Sequence, residues 1–379
     1  MSVSKITRTG SARTGKAAAS RMARRGLTGI EPDFSTEEAS MLRRSFLLSG
    51  ATAVLPDQDR IRIGFLGVGH SHTAAKLSVV RGSSQWELVG VWDASPRLQA
   101  MIQKAGYPLA AREALLHDPT VQVIAVGSDV KSHFTLAWMA LEAGKHVHLE
   151  KPPACRRGEL EKLIDAARRR KLLLQMGYMW RYHPGVNAAL DAARKGWLGE
   201  IFLVRGTINT IGAPEQRAEW AQFPGGQMFE LGCHLIDPMV RLMGKPVQIT
   251  PFLRSHGPQG DKLADNNVAV FEWKKALGVI TSSTLQPGAG PHRSFEIFGL
   301  TGAAVLKPIE PPVLTLDLQK PAGGFRAGSH QMQLPSFQRY VADFEDLARC
   351  VRSGQPLAVT AEEELLVQEA LLRASGMWA

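Results

Sequence analysis

Residues 230–237 read Glu230-Leu-Gly-Cys-His234-Leu-Ile-Asp237. On a helix, positions 230, 234 and 237 share one face, at i, i+4 and i+7. A carboxylate–imidazole–carboxylate stripe among Met228, Phe229, Leu231, Leu235, Ile236 and Met239 is costly to bury without partners. That cost argues for a catalytic cluster over an N-capping acid beside a satisfied core histidine. Imidazole titrates near neutrality, so His234 is the expected general base. Glu230 would orient it or the substrate. Lys151, in Glu150-Lys-Pro-Pro153, could donate to an oxygen that gains negative charge; the bland alternative is a surface lysine. Proton removal coupled to alkoxide stabilisation is what hydride loss from an alcohol requires. Pro238 lacks an N–H and is expected to break the helix just beyond the stripe.

The surrounding elements give these residues a setting. Arg60–Leu66 reads as a buried strand, followed at once by Gly67-Val-Gly69-His70-Ser71-His72, helical residues 73–81, and a second strand, Glu87–Trp92, that ends in Asp93. Gly67 suits the tight strand-to-helix turn, and Gly69 lets the backbone approach a pyrophosphate at the helix N-terminus. His70, Ser71 and His72 line the same turn, and His72 stands where a third glycine would be usual. Asp93 can bind a ribose 2′-hydroxyl and would repel a 2′-phosphate, which favours NAD over NADP. His70 and His72 could also be metal ligands, but no acid or Cys lies near them in sequence, so no metal is expected. Further strands (121–126, 146–149, 172–176) alternate with helices (132–143, 158–171), which implies a parallel, doubly wound sheet. Ligands then meet Gly127-Ser128-Asp129, Glu150-Lys151-Pro152 and Gly177-Tyr178, each directly after a strand. His133 either approaches that edge or is a partly exposed helix-start residue.

The Glu150-Lys151-Pro152 turn resembles the signature of the glucose–fructose oxidoreductase / inositol dehydrogenase (Gfo/Idh/MocA) family. Gly225-Gly226…Glu230…His234…Asp237 is similar to a second family motif, with Glu230 where the family usually has Asp. Trp220, Arg181-Tyr-His-Pro184 and Phe295–Gly302 fit as well. The resemblance runs from about residue 60 to the end. It implies an N-terminal Rossmann domain, an open, largely antiparallel sheet with helices on one face, and final helices that return to the first domain. It also implies a small-molecule sugar, cyclitol or polyol substrate, with Arg181, Tyr182, His183 and Asp237 in reach of it, and a homo-oligomer built on the open sheet. A plain interdomain salt bridge is the alternative for Arg181. The expected activity is an NAD(P)-dependent dehydrogenase. A redox-neutral glycoside hydrolase that recycles tightly held NAD is the alternative, and retention of both Lys151 and His234 disfavours a non-catalytic sensor.

Of the 379 residues, 45 are Lys or Arg against 35 Asp or Glu, a formal charge of +10. Seven of the positive charges fall in residues 1–25, where there is no acid, so the basicity belongs mainly to a leader and does not indicate nucleic-acid binding. The sequence has no run long and apolar enough for a membrane-spanning helix. Three cysteines without a CxxC pairing give no disulfide or zinc framework. The expected organisation is a disordered leader over 1–58, a Rossmann domain over 59–180, a substrate and oligomerisation domain over 181–335, and returning helices over 336–379, with Pro335–Ser353 and Thr360–Met377 reading as helical and Thr360-Ala-Glu-Glu363 as a capping box that opens the last helix. Arg43-Arg44 before a short apolar stretch resembles a twin-arginine signal over 41–56, which leaves periplasmic and cytoplasmic locations both open. Met41 is an alternative start.

Overall fold

The computed structural model describes residues 60–258 and 260–378. The leader, the proposed signal and the Met41 start lie outside the described residues. The first half alternates as expected: β1 (Ile61–Leu66), α1 (Thr73–Gly82), β2 (Trp86–Trp92), α2 (Pro96–Lys104), α3 (Arg112–His117), β3 (Val123–Val126), α4 (His133–Glu142), β4 (His146–Leu149), α5 (Glu159–Arg170) and β5 (Leu174–Met176). Near-continuous apolar strands such as β1 and β3 are buried on both faces, as a parallel sheet covered by helices requires. Strand order is β2-β1-β3-β4-β5, all parallel. From β1 the chain crosses to β2 on one side and β3 on the other, so the crevice opens where β1 and β3 end. Helices α2 and α3 were not anticipated, although Ser95 caps α2 and Pro96 opens it, a start signal present in the sequence.

The second half contains α6 (Pro184–Arg194), β6 (Ile201–Thr207), α7 (Pro214–Trp220), α8 (Cys233–Met243), β7 (Gln248–Arg254), β8 (Asn266–Trp273), β9 (Ala276–Ser283), β10 (Ser294–Gly299), β11 (Gly302–Leu306), β12 (Leu314–Leu318) and β13 (Gly328–Gln331). The eight strands form one open sheet in the order β13-β12-β11-β10-β6-β9-β8-β7. Only the β6–β9 pair is parallel. Phe252 and Leu277 stand exposed on this sheet. Among the described residues, no helix is long and apolar enough to cross a membrane.

Two helices close the chain, α9 (Val341–Ser353) and α10 (Ala361–Ala374). The expected start of α9 at Pro335 is corrected to Val341: Tyr340 has φ +70°, a left-handed conformation that a helix cannot pass through. Thr360 and Glu363 form the expected capping box on α10. Phe344 of α9 packs 4.8 Å from His148 and 6.5 Å from Phe65, ring centre to ring centre, so α9 lies against the first sheet. The helix break expected at Pro238 does not occur. Helix α8 continues to Met243, with residues 233–240 all buried, and packing outweighs the one lost backbone donor.

Arg181 holds these parts together. Its guanidinium donates to Asp237 of α8 at 2.7 and 3.0 Å and to Glu364 of α10 at 2.5 and 2.8 Å. All three side chains are buried. Removing the cation strands the buried Glu364 and leaves Asp237 with only Arg241 at 3.5 Å, so Arg181→Met should cost about 3–5 kcal/mol, measured as a lower urea midpoint with unchanged m-value.

Candidate active site

The turn after β1 is built by close approach. Gly67 has φ +82°, and a Cβ there would meet the Ser128 Cβ at 2.4 Å. The Val68 and Ser95 N–H groups donate to the two Asp93 oxygens, each at 2.8 Å, which fixes that carboxylate at the end of β2. Ser71 is exposed at the turn, and α1 starts without a side-chain cap, so its first N–H groups suit an anion. Gly127 leaves room for Thr73, whose hydroxyl donates to the Gly127 carbonyl at 2.8 Å. The glycine turn, the uncapped terminus and the anchored acid together fit a dinucleotide.

Lys151 is fully buried where β4 ends. Its ammonium donates to the Glu230 carboxylate at 2.5 Å and to the Glu230 carbonyl at 2.8 Å. Burial disfavours the ammonium, but Glu230, together with Cys233 and Glu150, more than offsets it and leaves the Lys151 pKa raised. Burial likewise pushes the Glu230 carboxyl up, yet Lys151 and His70 bring it down to about 2. An ammonium has three protons, and these contacts use two of them.

Glu230 was expected to orient His234 or the substrate. The structure corrects the first of these. Residues 228–232 form a π-helical turn before α8, and within it Glu230 bonds to Lys151 and His70 and not to His234. Gly232 permits the turn, since a Cβ there would lie 2.6 Å from the Met228 sulfur. Glu230 therefore faces Lys151 and His70, while Asp237 is taken by Arg181. His234 is 1% exposed, and neither ring nitrogen has a hydrogen-bond partner. Its ring lies among Trp180 at 5.3 Å, His72 at 5.6 Å and Tyr178 at 6.4 Å. Burial, reinforced by the nearby Lys151 charge, lowers its pKa well below the usual value, so the imidazole is neutral near pH 7.

Other expected contacts are redistributed. Arg181 is the interdomain ion-pair residue just described, which was its alternative reading. Tyr182 donates to Asp346 at 2.9 Å and accepts from Gln175 at 3.0 Å. His183 accepts from the Val186 N–H at 3.2 Å and so caps α6. All three side chains thus hold partners within the protein. His133 is buried between the Pro152 and Ser128 carbonyls, at 2.8 and 3.1 Å, and joins two of the edge turns. The sequence reading also held that no acid completes a set with His70 and His72. In fact Glu150 does: its Oε2 lies 3.6 Å from His70 Nδ1 and 3.3 Å from His72 Nδ1, and the three donor atoms lie within 4.8 Å of one another. Glu150 is also paired with Lys76, so the cluster already holds a cation.

Two residues at the site escaped the sequence reading. Lys76 falls in the buried stripe Thr73, Lys76, Leu77, Val80 of α1, and a lysine on an apolar helical stripe is a signal the sequence does contain. Tyr340, 5.4 Å from the His72 ring, arrives from the far end of the chain with no such signal.

A Rossmann crevice with a buried lysine–carboxylate pair and an unpartnered imidazole at its edge, roofed by a second sheet domain, defines a nicotinamide-dependent oxidoreductase. The chain belongs to the GFO/IDH/MocA oxidoreductase family: residues 61–178 match its NAD-binding Rossmann fold and residues 186–305 its C-terminal domain. The myo-inositol 2-dehydrogenase of Thermotoga maritima is 24% identical over 314 residues, covering 80% of this chain and 92% of that protein. The NADP+-dependent scyllo-inositol 2-dehydrogenase IolW of Bacillus subtilis is 24% identical over 333 residues, covering 82% and 91%. Among solved structures, GenD2 from gentamicin A biosynthesis, in complex with NAD, superposes with TM-score 0.70 at 22% identity, covering 86% of this chain and 96% of that one. That likeness establishes the fold.

Because the Glu230 carboxyl is held below its unfolded value, its contribution to stability is complete above that value and is lost as pH falls from 4.5 to about 2. Glu230→Gln should therefore melt lower than the parent near neutral pH, by about 3–5 kcal/mol of unfolding free energy. The gap should narrow steadily on acidification through that window, as followed by thermal melts across pH.

Proposed function

We propose that the protein is a dehydrogenase that oxidises a secondary alcohol of a sugar, cyclitol or related polyol, with NAD preferred to NADP. The observation that carries this reading is a set of buried polar atoms with no partner in the protein: both nitrogens of His234, Glu230 Oε2 and the Tyr178 hydroxyl. Such atoms are costly unless a ligand satisfies them, and a molecule with several hydroxyls supplies both the donors and the acceptors.

The roles follow from protonation state. Neutral His234 takes the proton from the substrate hydroxyl. The third Lys151 proton meets the oxygen as charge develops on it, in a water-poor site where such a bond is strong. Glu230 keeps Lys151 cationic and offers its free oxygen to a neighbouring hydroxyl. A bound nicotinamide supplies the hydride acceptor. Asp93, placed to accept from a ribose 2′-hydroxyl and to repel a phosphate there, supports the choice of NAD. The named inositol dehydrogenases support the substrate class. Redox-neutral glycoside cleavage gains no support from them. The exposed face of the second sheet suits a second copy of the chain.

The test is NADH or NADPH formation across a panel of inositols, aldoses and glycosides. Wild type should oxidise at least one of them, with NAD the better cofactor. Lys151→Ala and His234→Ala should each lower kcat by about 100-fold or more and leave NADH affinity, read by fluorescence, within a few fold. Unchanged turnover in either variant would remove its role.

A further inference from the structure

One position of the buried α1 stripe carries an ammonium. Lys76 is 1% exposed. It is paired with Glu150, its Nζ lies 2.7 Å from His148 Nε2, and it stands 5.4 Å from the centre of the Tyr340 ring. Gly177 makes room for it, because a Cβ there would lie 2.8 Å from Lys76 Nζ. An apolar side chain would fill this helix position without the desolvation of a buried ion pair, so stability alone gives no reason for a lysine.

The partner of Lys76 leads to the catalytic lysine. The second Glu150 oxygen accepts the Lys151 backbone N–H at 2.9 Å and lies 3.6 Å from His70 Nδ1. His70 Nδ1 also accepts the His72 N–H at 3.2 Å, so the His70 proton sits on Nε2 and is donated to Glu230 Oε1 at 3.2 Å. Glu230 holds the Lys151 ammonium. Two paths therefore reach Lys151: Lys76 through Glu150 to its backbone, and His70 through Glu230 to its side chain. All five are at most 4% exposed. In so little solvent, displacing one group is felt by the next.

We propose that Lys76 and His70 are positioning residues for Lys151. Lys76 anchors Glu150, which fixes the backbone of the Glu-Lys-Pro turn, and His70 donates to Glu230, which holds the ammonium. The proposal rests on the reading of Lys151 as the group that meets the substrate oxygen.

The experiment compares Lys76→Met, Glu150→Gln, their combination and His70→Asn. Its first readout needs neither substrate nor nucleotide. Pro152 and Pro153 have no amide hydrogen, so hydrogen exchange in a peptide spanning 149–155 reports strongly on the Lys151 amide. Exchange there should speed up by about tenfold or more in Lys76→Met, and the Lys76 change should add nothing on the Glu150→Gln background, because Lys76 acts through Glu150. The double variant carries no unpaired buried charge, which protects the test if Lys76→Met fails to fold. The second readout is the pH profile of kcat with the panel alcohol that wild type oxidises. Turnover should fall about 10–100-fold in the double variant and in His70→Asn, with NADH affinity held within a few fold. The alkaline limbs should move in opposite directions. Losing the Glu150 charge lowers the Lys151 limb, since Glu150 helps raise it. Losing the His70 donor leaves Glu230 to Lys151 alone and raises the limb. Variants that only melt earlier, with parental exchange at Lys151, kcat and pH limbs, would overturn the proposal. A wild-type chain that oxidises no alcohol would instead sink the dehydrogenase reading, and the exchange measurement would still decide whether Lys76 anchors the turn.

Discussion

The ion pair between Lys151 and Glu230 is the constraint on which the rest of the site depends. Its cation stands at the carboxyl edge of the nucleotide-binding sheet, and its anion on the π turn that enters α8. Both are buried, so neither tolerates the loss of the other. To make this contact, β4 must end at the crevice, the chain must widen by one residue at 228–232, and Gly232 must leave space for Met228. Arg181 holds the middle of α8 through Asp237 and ties it to Glu364 of α10. Held by buried charges just before its start and at its middle, the helix resists rotation, and His234, which has no hydrogen bond of its own, is held in place by its neighbours.

This arrangement separates two protonation states in one small space. Burial acts against charge on every group there, and partners decide which groups keep it. Lys151 has Glu230 and stays cationic; His234 has no partner and stays neutral. An acid form and a base form thus coexist near neutral pH without either being exposed, which is what alcohol oxidation asks of its two flanking groups. The replacement of the family's Asp by Glu230 fits the same geometry. The longer side chain reaches Lys151 and His70 together, and its second oxygen remains free.

Much of the first domain was legible because parallel strands buried on both faces leave continuous apolar runs, and because a glycine turn between a strand and a helix has few other uses. The capping box at Thr360 was legible for a similar reason: its bonds join residues three apart. What could not be read were contacts set by long-range geometry. The partners of Glu230 could not be read, because Lys151 and His70 reach it from segments far away in the chain. Glu150 was not seen beside His70 and His72 because β4 and the β1 turn are far apart in the chain. Tyr340 was invisible as a site residue, since only the return of α9 to the first sheet brings it to His72.

By itself, then, the sequence determined the two-sheet plan and the nucleotide turn with Asp93 behind it, and it marked Lys151, Glu230 and His234 as candidate reactive groups. These depend on local periodicity, turn chemistry and residue type. Tertiary structure alone decided which carboxylate serves which cation. It gave Glu230 to Lys151, Asp237 to Arg181 and Glu150 to Lys76, and left His234 without a partner. The reason is physical: the strength of a charge pair depends on distance and on the exclusion of water, and neither exists until the two sheets and the returning helices have packed.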